Sequence, residues 1–397
     1  MKRGAAPAAA LAQLQAARLY RRRATVTAFG AEGQRALLEL DGAPLVDFSS
    51  NDYLGLARHP QLARAMGECA AASGAGSAAS HLVCGHGREH ARLEEELAAF
   101  CGRERALLFS TGYMANLAVV AAFAGRGERV LLDRLAHASL IDGAHLSGAR
   151  LTRYAHADAA AAARELAAPG APAVLLATDG VFSMDGDLAP LPELARAARA
   201  HEAWLVVDDA HGLGVLGATG RGVLEHFALG AAEVPLLVGT LGKAFGSFGA
   251  FVAGERGLID YLVQKARPYI YTTALPQPVA AASRRALALA AAEGWRRERL
   301  AAHITRFRAR ALAAGVPLAE SSTPIQPVLL GNAATALAVQ EELRSGGFLV
   351  VAIRPPTVPP GTARLRVTLT AAHSEEQVAS LAAHLAQACE SVRELTA

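Results

Sequence analysis

The sequence predicts a mixed α/β protein in which a mostly parallel sheet forms a large domain and a smaller α/β domain follows it. Short apolar runs alternate with longer stretches of helical spacing. Runs of this kind form the buried strands of parallel sheets, because helices cover both faces of such a sheet. The runs that carry the pattern are residues 106–109, 129–133, 173–177, 204–208 and 235–238.

Polar residues or glycines follow each of these runs. They are Ser110-Thr-Gly112, His137, Asp179-Gly180, Asp208 and Gly239-Thr240. In open parallel sheets, ligands bind beyond the carboxyl ends of the strands, where such residues meet. The pattern alone therefore predicts a binding site at this edge of the sheet.

The chain is predicted to divide into three parts. Residues 1–48 form an N-terminal helix and short strands, residues 49–290 the large domain, and residues 291–397 a small C-terminal α/β domain. The last boundary follows an Ala-rich helical stretch, after which apolar runs again predict strands. These later runs are residues 326–330, 348–352 and 364–368.

Composition argues against several classes of protein. The formal net charge is +3, from 39 basic and 36 acidic side chains, and the sequence has no long block of one sign. This charge pattern does not support nucleic-acid binding. No apolar run approaches the roughly 20 residues that cross a bilayer, so we expect no membrane association. Four scattered cysteines indicate a reducing cytoplasm rather than a disulfide scaffold. The Ala- and Arg-rich opening is predicted to form an amphipathic helix rather than a targeting peptide.

Lysine is rare in this chain, which draws attention to the lysine at position 243. Only three of the 39 basic residues are lysine. Arginine cannot lose its proton in a protein, so it can replace lysine as a charge but cannot form an imine. Lys243 lies in a glycine-rich segment without charged neighbours, where desolvation would lower its pKa toward that of a nucleophile or base. Taken alone, the residue could equally be a surface lysine on a loop.

Two glycine-rich patterns near Lys243 suggest different chemistry. A P-loop requires a glycine where Leu237 lies and a Ser or Thr where Ala244 lies, so phosphate transfer from ATP is not supported. Residues 212–217 match G-x-G-x-x-G and keep a dinucleotide-dependent oxidoreductase as an alternative. However, Asp208-Asp-Ala-His211 separates these glycines from the strand, and no helical pattern follows them directly.

A third pattern concerns metal ions. Cys84, His86 and His90 are spaced like metal ligands. The cluster lacks the fourth ligand that a structural zinc site uses, so we expect no metal.

The segment Asp208-Asp-Ala-His211, followed some thirty residues later by Thr240-Leu-Gly-Lys243, resembles the fold-type I enzymes of pyridoxal 5'-phosphate (PLP). The resemblance implies the fold-type I PLP-dependent transferase fold. It also implies that Lys243 carries the cofactor as an imine and that Asp208 pairs with the pyridinium nitrogen. A buried carboxylate suits this task because it raises the pKa of the ring nitrogen, and the cofactor is an electron sink only while that nitrogen is protonated.

Further motifs, spread from residue 50 to residue 366, are similar to those of the α-oxoamine synthases within that class. They are Ser50-Asn-Asp-Tyr-Leu-Gly-Leu56, Gly74-Ala-Gly-Ser77, Ser80-His-Leu-Val83, Ser110-Thr-Gly-Tyr113, Asp133 with His137-Ala-Ser139, Phe182-Ser-Met-Asp-Gly-Asp187, Lys243-Ala-Phe-Gly246, Tyr271-Thr-Thr-Ala-Leu-Pro276, Arg354-Pro-Pro-Thr-Val-Pro359 and Arg364-Leu-Arg366.

The resemblance implies roles for individual cofactor-binding residues. His137 would stack on the pyridine ring, and Ser183 and His211 would lie near its phenolic oxygen and the phosphate. The start of a helix, with its unpaired N–H groups, would receive the phosphate. The remaining phosphate-side residues are Gly112, Tyr113 and Thr240, together with Thr272 from a second subunit. A homodimer with shared active sites is therefore implied.

The same resemblance implies residues that bind the substrates. Arg366 matches the arginine that holds the amino-acid carboxylate by a bidentate contact, and Asn51 lies near the same group. Arg21 matches an arginine near the acyl substrate, although three consecutive arginines could equally form a solvated helix face. Thr357 matches a substrate-contacting threonine, with a loop threonine after two prolines as the alternative.

Within this family, the motifs resemble most the members that form 8-amino-7-oxononanoate for biotin. We therefore expect a cytoplasmic acyltransferase that condenses L-alanine with a pimeloyl thioester of coenzyme A or acyl carrier protein, with loss of carbon dioxide. Lys243, His137 and Asp208 are the predicted catalytic residues. The alternatives are 2-amino-3-ketobutyrate CoA ligase, 5-aminolevulinate synthase, serine palmitoyltransferase, or an inactive partner subunit of this fold.

Overall fold

The computed structural model describes residues 5–30, 34 and 36–396. Its strands are β1 (Val26–Phe29), β2 (Leu37–Leu40), β3 (Ala43–Asp47), β4 (Arg105–Phe109), β5 (Arg129–Asp133), β6 (Arg150–Tyr154), β7 (Ala173–Asp179), β8 (Trp204–Asp208), β9 (Leu236–Thr240), β10 (Ala250–Gly254), β11 (Ile325–Gly331), β12 (Phe348–Leu349), β13 (Val351–Ile353) and β14 (Ala363–Thr368). Its helices are α1 (Ala5–Ala16), α2 (Pro60–Ser73), α3 (Arg88–Cys101), α4 (Gly112–Phe123), α5 (Ala138–Ser147), α6 (Ala159–Ala167), α7 (Leu191–Ala200), α8 (Val223–His226), α9 (Arg256–Lys265), α10 (Arg267–Ile270), α11 (Gln277–Ala292), α12 (Trp295–Ala313), α13 (Ala333–Ser345) and α14 (Glu375–Thr396). A π-helical turn (His81–Gly85) precedes α3.

The chain forms two compact units. The larger unit contains residues 54–183 and 187–297, and the smaller contains the described residues of 1–53, 184–186 and 298–397. The division of the chain at residues 48 and 290 stays a prediction. Among the described helices, we find none with the length and apolar character that a bilayer crossing requires.

The larger unit holds a seven-stranded sheet in the order β4-β10-β9-β8-β7-β5-β6. Strands β6, β5, β7, β8 and β9 are parallel, whereas β10 is antiparallel to both β9 and β4. The predicted α/β class and mostly parallel sheet are confirmed. Asp179 pairs with Asp208, and Ala250 pairs with both Thr240 and Phe109, so these strand ends lie along one edge.

Helix α4 covers one face of this sheet and is apolar over most of its surface. Ala118, Val119 and Val120 are fully buried and belong to one core with residues of the central strands. A helix without a polar face is stable only when it is enclosed in this way. Gly143 lets α5 approach α4, since a Cβ at that position would lie 2.9 Å from Cβ of Val120.

The smaller unit contains two sheets. Strands β1, β2, β3 and β12 form one, in which β12 pairs in parallel with β3, and strands β11, β14 and β13 form an antiparallel second sheet. The opening helix predicted from the sequence is present as α1. Its residues 7–16 are all exposed, with Leu11 47% and Leu14 40% accessible. The prediction that this helix is amphipathic was wrong, because it buries no apolar face.

Candidate active site

Asp208 ends β8 and is held in a buried position at the sheet edge. Its Oδ2 accepts a hydrogen bond from Nδ2 of Asn116 at 2.6 Å, and its Oδ1 accepts one from the backbone N–H of Ala210 at 3.0 Å. Both donors are neutral. A protonated ring nitrogen would therefore meet a carboxylate that is already oriented and that takes its opposite charge from the ligand. The geometry fits the predicted pairing with a pyridinium.

Asn116 was missed by the sequence analysis. It lies in the middle of α4, is buried, and also donates to the hydroxyl of Ser139 at 2.9 Å. A polar side chain inside an otherwise apolar helix was the available signal, because a buried amide requires hydrogen-bond partners.

Two further aspartates surround Asp208. Burial raises the pKa of Asp179 well above its ordinary value, and the neighbouring charge of Asp208 adds to the effect. Burial likewise raises the pKa of Asp209, whose Oδ2 accepts from the N–H of Val223 at 2.9 Å. Burial thus shifts both carboxyls toward their neutral forms.

His137 is placed by the start of α5, which it caps. Its backbone N–H donates to Oδ2 of Asp179 at 2.9 Å, and its Nδ1 lies 2.6 Å from the hydroxyl oxygen of Ser139. Burial lowers the pKa of His137 below its ordinary value, although the charge of Asp208 opposes this shift. The net shift favours the neutral imidazole. Its ring lies edge-on to Tyr113, with 6.4 Å between ring centroids.

Tyr113 and Gly112 occupy the first turn of α4. The side chain of Thr111 caps this helix by accepting from the N–H of Met114 at 3.2 Å. Gly112 and Tyr113 precede the capped residue, and N–H groups in a first turn have no acceptor within the helix. N–H groups of this kind suit an anion, and the role of Gly112 and Tyr113 at the phosphate stays a prediction.

Lys243 follows β9 and is half-buried. Its Nζ lies 2.7 Å from Nε2 of His211, which is buried in the segment after β8. The charges of Lys243 and Asp208 both act on His137. The amine, the carboxylate and the imidazole predicted from the sequence are thus brought together. Thr240 lies beside this loop and accepts from the N–H of Gly242 at 3.3 Å.

The loop that bears Lys243 is closed by Gly246. Its φ of +60° belongs to the left-handed region, and a Cβ there would lie 2.2 Å from the backbone nitrogen of Ala57. Only glycine meets both conditions without a shift of the backbone. The glycine-rich character noted in the sequence therefore has a steric cause at this position.

Ser183 and Thr272 complete the predicted cofactor residues. Ser183 follows β7 and is half-buried. Thr272 lies between α10 and α11, in a segment tied to the π-helical turn region by the hydrogen bond from Ala274 N–H to Ala79 O at 2.9 Å. The role of Thr272 stays a prediction, because it depends on a second chain.

The smaller unit contains the predicted carboxylate-binding arginine. Arg366, on β14, is buried and its Nη1 donates to Oδ1 of Asn51 and to Oγ1 of Thr368, each at 3.0 Å. The same Asn51 oxygen accepts from the hydroxyl of Tyr53 at 3.2 Å. Arg366 is thereby held in one orientation, in which a guanidinium can present parallel N–H donors.

Arg21 and Thr357, predicted separately as acyl-substrate residues, are in direct contact. Nη2 of Arg21 donates to Oγ1 of Thr357 at 3.0 Å. Both residues line a cavity of about 1060 Å³ in the smaller unit. Its lining contains one acidic side chain, Asp41, against six guanidinium groups: Arg18, Arg21, Arg22, Arg23, Arg344 and Arg354.

The residues spaced like metal ligands are only partly brought together. His86 and His90 cluster with His81, which the sequence analysis did not include, whereas Cys84 is exposed. Nδ1 of His81 and Nδ1 of His86 are 3.0 Å apart. Both ring nitrogens of His90 contact backbone groups, the N–H of Gly87 and the carbonyl of Leu275. The expected absence of a metal stays a prediction.

Comparison with known proteins agrees with this geometry. The pattern described as aminotransferase class I and II matches residues 43–385. The chain belongs to this family. A relative from Methylococcus capsulatus named 8-amino-7-oxononanoate synthase is 61% identical over 382 residues, covering 96% of this chain and 98% of its own. A second relative of that name, from Thioalkalivibrio sulfidiphilus, is 58% identical and covers 93% of each chain.

Solved structures extend the agreement to the fold. Serine palmitoyltransferase from S. paucimobilis, with a bound PLP–myriocin aldimine, superimposes with a TM-score of 0.92 at 30% identity, covering 98% of each chain. An 8-amino-7-oxononanoate synthase from Francisella tularensis gives a TM-score of 0.77 at 32% identity, covering 88% of this chain and 99% of its own. The predicted fold-type I class, the PLP cofactor and the enzyme family are confirmed.

Proposed function

We propose that this enzyme condenses L-alanine with a pimeloyl thioester, with loss of carbon dioxide, to form 8-amino-7-oxononanoate in biotin biosynthesis. The observation that carries the proposal is the cluster of Lys243, His211, Asp208 and His137 at one sheet edge, in a chain 61% identical to a protein named for that product. The two named relatives match over at least 93% of this chain, whereas the serine palmitoyltransferase is 30% identical.

Residues of the larger unit would have separate roles in the chemical steps. When bound, PLP supplies an electron sink for the α-carbon of the amino acid. Asp208 would keep the ring nitrogen protonated through a charge-assisted hydrogen bond. Lys243 would link the cofactor at rest and afterwards accept the α-proton. His137 would stack on the ring and serve as a proton donor or acceptor during loss of carbon dioxide.

The residues of the smaller unit would select the substrates. Arg366 would hold the carboxylate of alanine, and Asn51 would fix the guanidinium through its hydrogen bond. A guanidinium suits a carboxylate because two parallel N–H donors match its two oxygens.

The arginine-lined cavity supports an acyl donor that carries phosphate. Six guanidinium groups against one carboxylate, Asp41, produce a strongly positive local potential. Coenzyme A and the prosthetic group of acyl carrier protein both carry a phosphate next to the pantetheine arm. We therefore propose that Arg21, with Thr357, binds the acyl donor at this cavity.

A homodimer with shared active sites is part of the proposal. Large apolar side chains near Thr272 and on the π-helical turn are exposed: Leu82 is 51%, Val83 78% and Tyr271 72% accessible. A second copy of the chain would cover them and would place Thr272 at the phosphate of the neighbouring cofactor. We further propose a cytoplasmic location, with which four free cysteines agree.

A substrate panel tests the proposed reaction. Thiol release would be measured with alanine, glycine or serine against pimeloyl, acetyl, succinyl and palmitoyl thioesters, each on coenzyme A and, for pimeloyl, also on carrier protein. We expect the highest kcat/KM for alanine with pimeloyl thioester and no turnover by Lys243→Ala. Preference for glycine with a short acyl group, or for serine with palmitoyl, would replace the proposal by the corresponding α-oxoamine synthase.

A further inference from the structure

His156 bridges two carboxylates that come from different parts of the larger unit. It lies two residues after β6 and is half-buried. Its Nδ1 is 2.9 Å from Oδ1 of Asp133, and its Nε2 is 2.9 Å from Oδ2 of Asp187. The ring of Phe182 meets the imidazole edge-on, with 4.4 Å between centroids. No motif singled out in the sequence includes this histidine.

The bridge requires a charged imidazole. An ionised carboxylate only accepts hydrogen bonds, and a neutral imidazole has a single N–H, so it could donate to one of the two carboxylates but not to both. Burial by itself would lower the pKa of His156, but the hydrogen bonds and charges of Asp133 and Asp187 raise it to about 10. The residue is therefore a cation at neutral pH, bound on both sides.

Asp133 connects this bridge to His137. It ends β5 and is buried. The Oδ1 atom that meets His156 also accepts from the N–H of Leu135 at 2.7 Å, and the Asp133 carbonyl accepts from the N–H of Ala136 at 3.1 Å. These bonds fix the turn that leads directly into His137, the N-cap residue of α5.

Asp187 connects the bridge to Ser183. Its backbone carbonyl accepts from the N–H of Phe182 at 3.0 Å, and the flanking residues Val181 and Leu188 form an antiparallel bridge. The ends of the loop that bears Ser183 are closed in this way. The side chain of Asp187 then ties the closed loop to His156.

We infer that His156 is a positioning residue for the cofactor site: its doubly bonded imidazolium holds the turn before His137 and the loop of Ser183 in one arrangement. The residue itself does not contact the reacting atoms. It acts through Asp133 on the ring that stacks on the cofactor and through Asp187 on the hydroxyl near the cofactor's oxygen atoms. The inference rests on the PLP site and not on the identity of the amino acid or the acyl donor.

Three substitutions at this position separate charge from packing. His156→Ala removes both bonds, His156→Gln keeps a neutral donor, and His156→Arg restores a cation that can donate to two carboxylates. His201→Asn is the matched control, since His201 is an exposed histidine at the end of α7. Asp187→Asn removes one charged partner and provides a second test, should His156→Ala fail to fold.

The primary measurement is the rate of PLP loss from the holoenzyme and the dissociation constant when PLP is added back. A displacement of about 1 Å in a positioning group can lower the catalytic rate on the order of 100-fold. We expect His156→Ala and His156→Gln to bind PLP about 10- to 100-fold more weakly and His156→Arg to recover most of the loss. Asp187→Asn should move in the same direction by less, and His201→Asn should match the parent enzyme.

A kinetic measurement provides the second readout. With PLP saturating, kcat should fall in His156→Ala while KM for the acyl donor stays near the parent value, because the donor-binding residues are not touched. A lower melting temperature with unchanged PLP affinity and unchanged kcat would show a purely structural role and overturn the inference. The PLP titration contains neither substrate, so it remains decisive even if the proposed reaction is wrong.

Discussion

The charged state of His156 predicts a specific dependence of stability on pH. Its pKa is raised from 6.5 to about 10 in the folded protein. Below pH 6.5 the imidazole is protonated in both the folded and the unfolded chain, so the bridge contributes fully. Between pH 6.5 and 10 only the folded chain holds the proton, and the contribution falls as pH rises; above about pH 10 it is lost.

The magnitude follows from the same change. A pKa moved from 6.5 to about 10 corresponds to at most roughly 4.8 kcal/mol, at about 1.36 kcal/mol per pH unit. The side chain of His156 is 27% exposed and that of Asp187 is 32% exposed, so solvent weakens the attraction. Because exposed ion pairs contribute only about 0–1 kcal/mol, we expect roughly 2–3 kcal/mol for this partly buried bridge. For a unit of this size that equals a shift of about 5–10 °C in melting temperature.

Calorimetry of the holoenzyme and of His156→Gln from pH 6 to pH 10.5 measures the contribution of the His156 bridge to stability. The parent should melt about 5–10 °C above the variant at pH 6, and the difference should shrink steadily and nearly vanish at pH 10.5. Two other titratable groups interact with Asp133: burial raises the pKa of Asp179 well above its ordinary value and also raises the pKa of Tyr154. Both groups are present in the parent and in His156→Gln, so the comparison of the two proteins isolates the imidazole. A difference in melting temperature that is independent of pH would refute the charged bridge.

Other outcomes concern the cofactor link, the substrate carboxylate and a loop glycine. Lys243→Ala should abolish the borohydride-reducible link to PLP, as peptide mapping by mass spectrometry would show; an adduct on another lysine would contradict the assignment. Arg366→Lys should raise KM for the amino acid about 10- to 100-fold with a smaller effect on kcat, because charge-assisted contacts worth about 1.5–3 kcal/mol lose their bidentate geometry. Steady-state kinetics measures both constants, and an unchanged KM would be evidence against the proposal. Gly246→Ala should destabilise the protein by more than about 2 kcal/mol, because its φ is +60° and the added Cβ would lie 2.2 Å from the nitrogen of Ala57. Gly257→Ala, with open space around it, should change stability by less than about 1 kcal/mol, and equal urea midpoints for the two variants would argue against the steric reasoning.

Local patterns were sufficient to predict the strand ends that form the cofactor site. Asp208 and Thr240 end their strands as expected, and Lys243 follows in the next loop. Burial between two helical layers imposes an apolar run on each parallel strand, and this constraint is visible in a few consecutive residues. Strand β10, which is antiparallel to both its neighbours, was not predicted, although its five residues are all buried and it is as long as β5, β8 and β9.

Residues that act through distant partners could not be found in this way. His156 meets one carboxylate 23 residues before it and another 31 residues after it, and neither separation has a periodicity of its own. Arg21 and Thr357 are 336 residues apart, so their contact depends on the fold of the whole smaller unit. Asn116 is different, because it is a polar residue within an otherwise apolar helix. That pattern is visible in the sequence and indicates a buried amide that needs hydrogen-bond partners.

The smaller unit is built from both ends of the chain, and this affects the order in which the protein can fold during synthesis. Strand β3 pairs with β12, where Val46 lies opposite Phe348, about 300 residues later. At roughly 5–20 residues per second, the ribosome needs about 15–60 s to deliver that partner. The larger unit is translated in the meantime and can complete its own sheet first. The edge of β3 stays unpaired throughout this interval, so the nascent chain is exposed to aggregation until about the last fifty residues are made.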